Sequence, residues 1–420
     1  MPFTISHPPS NIAIVGAGLG GLALALFLRK AKPSLTLSIY EVRPRDATDG
    51  GFLALAPNAL HVLNQLGLYE ILLPHGFAYD EITFYSARNL SRLGSVLNGS
   101  REKYGYPALR IPRHIVRQTL MNAVQDAGIN IKFETKIKSV EDGDDKGQAS
   151  LVLSSGKVES HDLIVGADGI HSRIRQLISD VEPTFAGQVG VGGGQIKRED
   201  VVIDLKLPAM FMGKTNSFAM MPTTADGQTV SCFATIEMEE RTREGWAAFA
   251  ADKQGLKQRL VERHCGSDAE WPKAVQDACQ QSRAESMAIW PFFNAPVLES
   301  WTTPSASVIL IGDAAHAMPP TGGQGAAQAF EDASSLARVI CAVEDAGDLR
   351  SELQEWQQRR QERVRQVKAF TSKSGDIRRA SPTMLQQIVK EWAIWAYMWL
   401  KGKEAGLGWV YAHKESGPVP

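Results

Sequence analysis

The sequence predicts an α/β fold in which a parallel-sheet unit is interrupted by a sheet-rich insertion and followed by a C-terminal helical segment. Three short apolar, β-branched runs are the first observation. Ile12 to Val15 leads into Gly16, Leu163 to Val165 into Gly166 and Asp168, and Val308 to Ile311 into Gly312 and Asp313. A buried parallel strand reads this way when its C-terminal end opens onto a ligand crevice. The second observation is a change of texture between the second and third runs, where residues 217–221 and 230–235 alternate as half-buried strands do. The third is a long charged helical pattern over 349–370 and a Trp-rich tail beyond it.

The first run carries the most chemistry. Gly16, Gly18 and Gly21 fit G-x-G-x-x-G between a strand at 11–15 and a helix at 22–30. The first glycine allows the tight turn, the second lets backbone approach a pyrophosphate, and the third lets helix pack on strand. The helix N-terminus then faces the phosphates. A second strand at 35–40 ends in Glu41, about 20 residues on, where an acceptor for ribose hydroxyls belongs. An acid there argues against a 2′-phosphate in this pocket. The three strand ends together point to a bound flavin nucleotide.

Helices are expected at 58–66 and 115–127, and a hairpin around the acidic turn at 141–145. A single helical stretch at 243–264 is expected within the insertion. The units are read as a discontinuous nucleotide domain (1–74, 107–182 and 297–370), a substrate domain (75–106 and 183–296) and a helical tail (371–420), with the site between the first two.

Composition excludes other classes. With 44% hydrophobic and 22% charged residues the chain is globular. A net charge of −1 without a basic run argues against nucleic acid. Cys232, Cys265, Cys279 and Cys341 form no C-x-x-C pair, so they read as reduced thiols of a cytoplasmic protein, and no metal site is expected. There is no G-x-S-x-G, H-E-x-x-H or P-loop. No run reaches the ~18 apolar residues of a membrane span. Trp392, Trp395, Tyr397 and Trp399 are read as ringing their helix, which is then expected to be buried against the body or a second subunit.

Taken together, these residues resemble the single-component FAD-dependent aromatic hydroxylases, the group that contains salicylate hydroxylase and para-hydroxybenzoate hydroxylase. The resemblance runs to about residue 370. It is carried by the glycine triplet with Glu41, by Asp168-Gly169-Ile170-His171-Ser172-Arg173-Ile174-Arg175, and by Gly312-Asp313-Ala314-Ala315-His316 through Pro320 to Gly325. Gly51, Asn58 and Arg113 also fall where the family has them. The tail resembles fungal, secondary-metabolism members.

The resemblance implies a Rossmann-like FAD-binding domain, with FAD as cofactor and NADPH or NADH as transient reductant. It implies a monooxygenase that takes O2 through a C4a-hydroperoxyflavin to hydroxylate or epoxidise a small molecule. Its alternatives are a flavin oxidoreductase without oxygen insertion and a non-catalytic flavin-binding partner protein. Asp313 is implied as acceptor for the ribityl hydroxyls, Gly323, Gly325 and Ala326 as backbone contacts to the pyrimidine, and Arg113 as a contact to phosphate or ribityl chain. Asp168 is either a contact on the nicotinamide path, with Arg175, or a strand-end cap. His316 is read as structural and Arg173 as a surface charge. Ala327 and Asn294-Ala295 depart from the family pattern.

No catalytic base is assigned. Phe218, Met220, Phe233, Trp290 and Phe292 are read either as sheet core or as lining of an apolar pocket for an aromatic, polyketide or indole-like compound. Arg198 and Arg110 are candidates to meet an acidic group. Monomer and homodimer both remain open.

Overall fold

The structure is a computed structural model that describes residues 8–414 apart from 48–49, 144–146, 202–204, 267–270 and 344–345. Its central layer is a five-stranded parallel sheet. The strands run, across the sheet, Val308–Leu310, Leu163–Gly166, Asn11–Val15, Thr36–Tyr40 and Asn130–Lys132. The three apolar runs are therefore neighbours. Val15 stands opposite Gly166, and Gly166 opposite Leu310, so all three chains leave the sheet at one edge. Ile12, Ile14, Leu163, Ile164, Val165, Val308, Ile309 and Leu310 are fully buried. Helices Leu19–Ala31, Gly325–Ala342 and Arg113–Asp126 pack around this layer. A small antiparallel sheet of Ile137–Glu141, Ala149–Leu153 and Val158–His161 sits beside it. Its first two strands are the expected hairpin, although Asp144 and Asp145 of the acidic turn lie outside the described residues.

A seven-stranded sheet takes its strands from Glu81–Ser86 and Arg92–Leu97 and from five strands between Thr184 and Asn294. Residues alternate between its faces. One face carries Phe211, Phe218, Met220, Cys232 and Ala234 and is covered by helices Arg243–Ala251, Lys253–Cys265 and Lys273–Gln281. The expected single helix over 243–264 is thus two. Asp252 ends the first and caps the second by accepting the Gly255 N–H at 2.8 Å, because a residue bonding that donor leaves the helical path. The other face carries Met210, Met212, Ala219, Met221 and Phe233. It meets Tyr79 and Ala108 of a three-stranded sheet, Phe52–Leu55, Ala108–Pro112 and Phe77–Tyr79.

The tail corrects an expectation. Helix Met384–Lys401, opened by a capping box of Thr383 and Gln386, docks by one side only. Gln387 donates to the Met212 carbonyl at 3.0 Å, Arg88 pairs with Glu391 at 3.0 Å, and Ile394 and Met398 pack on the sheet. Trp392, Trp395 and Trp399 are 61%, 43% and 72% exposed. At spacings of three and four they form a stripe, not a ring, and it faces away from the body. The indoles pack on each other instead, with ring centroids 5.5 and 6.3 Å apart. Among the described residues no helix is long and apolar enough to cross a membrane.

Candidate functional site

At the shared edge of the parallel sheet, Gly16 turns the chain at φ 109°, and a Cβ there would collide with the Ala167 carbonyl oxygen. The turn of the first motif therefore rests directly on the second, at a distance only glycine permits. Gly18 precedes helix Leu19–Ala31, and no side chain caps that helix. Its first N–H groups remain available to an anion. Gly21 lies against the Gly16 carbonyl, where a Cβ would prevent the helix from seating.

Glu41 follows the second strand and is 3% exposed. Its Oε2 accepts the Ala17 N–H at 2.9 Å, and its Oε1 accepts the Arg43 N–H at 2.9 Å. The carboxylate holds the glycine turn and keeps lone pairs for a further donor. Arg117 completes this corner, donating to the Ala17 carbonyl at 3.1 Å and the Ala47 carbonyl at 3.2 Å. Sequence reasoning missed it, although it stands one helical turn after Arg113. Arg113 opens its helix and does not precede it. Its N–H bonds the Gly51 carbonyl at 2.9 Å while its exposed side chain lies along Gly50.

In the second motif Asp168 spends its carboxylate on its own turn. It accepts from Ser172 Oγ at 2.5 Å, Arg173 N at 2.7 Å and Ile174 N at 3.3 Å. The capping arrangement is the one observed. Burial raises its pKa against the pull of these donors. Arg175 is buried and donates to the carbonyls of Ala314 at 3.0 Å and Ile170 at 2.7 Å, which pins the third motif to the second. Arg173 is exposed and meets Gln176.

In the third motif Asp313 is exposed at the start of the short helix Asp313–His316. Behind it lies a buried charge network absent from the sequence reading. Asp332 accepts from the Gly312 N–H at 2.8 Å and pairs with His316 Nε2 at 2.6 Å. Arg360 bridges Asp332 at 2.8 Å and Glu331 at 2.7 Å, and Arg363 reaches Glu331 at 3.1 Å. Burial opposes ionisation of both acids. His316 and Arg360 beside Asp332 nevertheless hold it well below the carboxylate range, and Arg360 and Arg363 hold Glu331 at about 2. Asn58 donates to Glu331 at 2.7 Å and to Gln324 at 3.0 Å, tying the 320–325 loop to the network. The signal for this cluster was present as adjacent acids at 331–332 and arginines three apart at 360 and 363.

Gly323 takes a left-handed conformation, and Gly325, Ala326 and Ala327 open helix Gly325–Ala342 without a side-chain cap. Asp313 Oδ1 lies close to Gly325. Lys368, on helix Ala346–Ile377, is another residue missed by sequence reasoning. Burial lowers its pKa to about 8, against the opposing charge of Asp313. The donor set fits an FAD: two uncapped helix N-termini for anionic oxygens, and two carboxylates, Glu41 and Asp313, for hydroxyls.

Phe233, Trp290 and Phe292 lie on the sheet face turned toward this edge. The rings of Phe233 and Trp290 are 5.6 Å apart, and Trp290 lies against Gly51 where a Cβ would stand. Phe218 and Met220 are on the opposite face, fully buried against the covering helices, so they are core.

The FAD binding domain family matches residues 10–371. The chain belongs to that family. It is 28% identical over 373 residues to 3-amino-4-hydroxybenzoate 2-monooxygenase PtnB3 of Streptomyces platensis, covering 86% of each chain. It is 25% identical over 435 residues to the FAD-dependent monooxygenase pynG of Aspergillus niger, covering 96% of each. A solved salicylate hydroxylase substrate complex has the same fold at a TM-score of 0.75 and 20% identity, with 97% of this chain and 99% of that one covered. This chain is an FAD-dependent monooxygenase with FAD as its cofactor.

Proposed function

We propose that the chain uses NAD(P)H and O2 to oxygenate a flat aromatic, polyketide or indole-like molecule. The observation that carries this reading is the register of Val15, Gly166 and Leu310, which gathers three motif ends and two uncapped helix N-termini on one edge. Bound FAD, reduced by NAD(P)H, supplies the activation of O2 that puts one oxygen atom on the substrate and releases the other as water.

The residues have distinct tasks. Gly16, Gly18, Gly21 and the following helix start take the pyrophosphate, and Glu41 takes the adenosine ribose. Asp313 takes the ribityl hydroxyls. The N–H groups at Gly325 and Ala326, beside Gly323, stabilise negative charge on the pyrimidine. Gly51 and Arg113 close the opposite side. Asp168 supports the site by capping the second turn, and Arg175 by tying that turn to the third. Phe233, Trp290 and Phe292 face the substrate and exclude water from it.

The proposed partition is a nucleotide domain of 1–74, 107–182 and 297–370, with a substrate domain of 75–106 and 183–296 and a tail from 371. The mutual packing of the three-stranded and seven-stranded sheets supports a substrate site between the two. A cytoplasmic setting is supported by four cysteines without a disulfide.

Turnover of the FAD-loaded protein under 18O2 tests the reading. One labelled oxygen atom in the product is expected. Oxidised product without label, with all oxygen recovered as peroxide, overturns it.

A further inference from the structure

Helix Met384–Lys401 turns its polar side to the protein and its apolar side to solvent. Gln387 and Glu391 lie on the docked side with Ile394 and Met398, against the seven-stranded sheet. Past the helix end, the Leu97 N–H donates to the Lys403 carbonyl at 2.7 Å, and Lys403 pairs with Glu81 at 2.6 Å. The helix is thus fastened to that sheet along its whole length. On the solvent side Leu385, Val389, Trp392, Ala396 and Trp399 follow one another at intervals of four, three, four and three residues. That is the strict spacing of a coiled-coil seam.

The positions beside the seam, 386, 388, 393, 395 and 400, carry no charge. In paired helices these positions select the partner by charge, so an uncharged seam meets an identical one without repulsion. Ala396 stands between Trp392 and Trp399, so large and small side chains alternate along the seam, as interdigitation requires. At their observed exposures the three indoles alone leave roughly 400 Å² of apolar surface in water. Leu385, Val389 and Leu400 are 71%, 59% and 72% exposed. They carry the patch past the roughly 300–600 Å² usual for a monomer and toward the roughly 800 Å² that each partner of a standard interface buries.

A lipid surface fits this helix less well. An interfacial helix carries lysine and arginine where they reach the headgroups beside its apolar side. Here Lys390 donates to the Arg379 carbonyl at 3.1 Å, and Lys401 repeats the register of Gln387 and Ile394, on the docked side. We propose that helix Met384–Lys401 is the contact between two copies of the chain, packed seam against seam about a twofold axis. The same surface then serves both copies, and the pairing closes without growing into a filament. Because the helix is fastened to the seven-stranded sheet, the two copies are joined through those sheets and not through the parallel layer.

Sedimentation velocity of the full-length, FAD-loaded protein across micromolar concentrations tests the pairing. The wild type should sediment at twice the chain mass. The double variant Val389→Glu, Ala396→Glu places carboxylates in both seams and should weaken association by about a hundredfold or more. Its FAD content and melting curve at low concentration should match the wild type, since both positions lie off the docked side. The milder pair Trp392→Ser, Trp399→Ser should weaken association in the same direction without introducing charge. Val297→Glu, at an exposed apolar position outside this helix, should leave the dimer intact. A wild type that stays monomeric overturns the proposal, as does a dimer that survives both seam variants or one that Val297→Glu dissolves equally well. Flotation of the same proteins with phosphatidylcholine–phosphatidylserine vesicles is measured beside it. A monomer that floats with the vesicles, and ceases to in the seam variants, assigns the stripe to lipid and also overturns the pairing.

Discussion

His316 and Asp332 are joined at 2.6 Å in a site closed to solvent, and the same Asp332 oxygen accepts the Gly312 N–H. The pair fixes the turn that presents Asp313 to the edge of the parallel sheet. Arg360 occupies the other oxygen of Asp332, so both oxygens of that carboxylate are engaged in holding the fold.

Asp332→Ala should therefore destabilise the protein by about 3–5 kcal/mol, because it removes the buried partner of both Arg360 Nε and His316 Nε2. Its native pKa is depressed below the unfolded value of about 3.9, so its contribution is complete above that pH and is lost as pH falls further. Urea unfolding of wild type and variant at pH 7 and pH 3 checks this. A difference that fails to shrink on acidification contradicts it.

Asp313→Ala should act on the cofactor and not on the fold. Asp313 is exposed and its carboxylate accepts no hydrogen bond within the described chain, so apoprotein stability should change by less than about 0.5 kcal/mol. FAD affinity should fall by roughly 1.5–3 kcal/mol, the usual worth of a charge-assisted bond. Asp226→Ala should leave FAD alone, because Asp226 accepts from Thr224 at 2.6 Å and Gln228 at 2.9 Å in a distant turn. Equal FAD dissociation constants for the two variants would refute the assignment.

Lys368 should give the apoprotein an alkaline signature. Its pKa is about 8 in the fold, against about 10.4 unfolded, so between those values the unfolded chain binds more protons and stability rises with pH. Lys368→Met should gain roughly 1–2 kcal/mol at pH 7, discounted for partial solvent screening, and flatten that rise. Melting curves from pH 7 to 10 read the slope, and parallel slopes for the two proteins would exclude it.

The tail separates docking from exposure. Replacing Trp392, Trp395 and Trp399 together by Ser should raise solubility and change stability little, since these rings pack on one another outside the body. Glu391→Ala should cost about 1–3 kcal/mol by unpairing Arg88 and Gln387. Thermal melting and light scattering of both variants decide it. A triple variant that melts far below Glu391→Ala would mean the indoles stabilise the body after all.

The sequence by itself determined the three strand ends, the glycine turn and the acid after the second strand. These are local matters: β-branched runs make buried strands, and only glycine accepts the turn at Gly16. It also carried the alternation that separates Phe218 from Phe233, but not which face would be covered by helices. Only the tertiary structure decided that, because the answer depends on which layer meets each face. The same holds for the charges. Arg175 finds Ala314 139 residues away, and Asn58 finds Glu331 273 residues away, with no local pattern to announce either pairing. The tail shows the converse. Its Trp spacing already defined a stripe, and tertiary packing decided that Gln387 and Glu391, not the indoles, would face the body. Their donors and acceptors found partners on the sheet, while the indoles found each other.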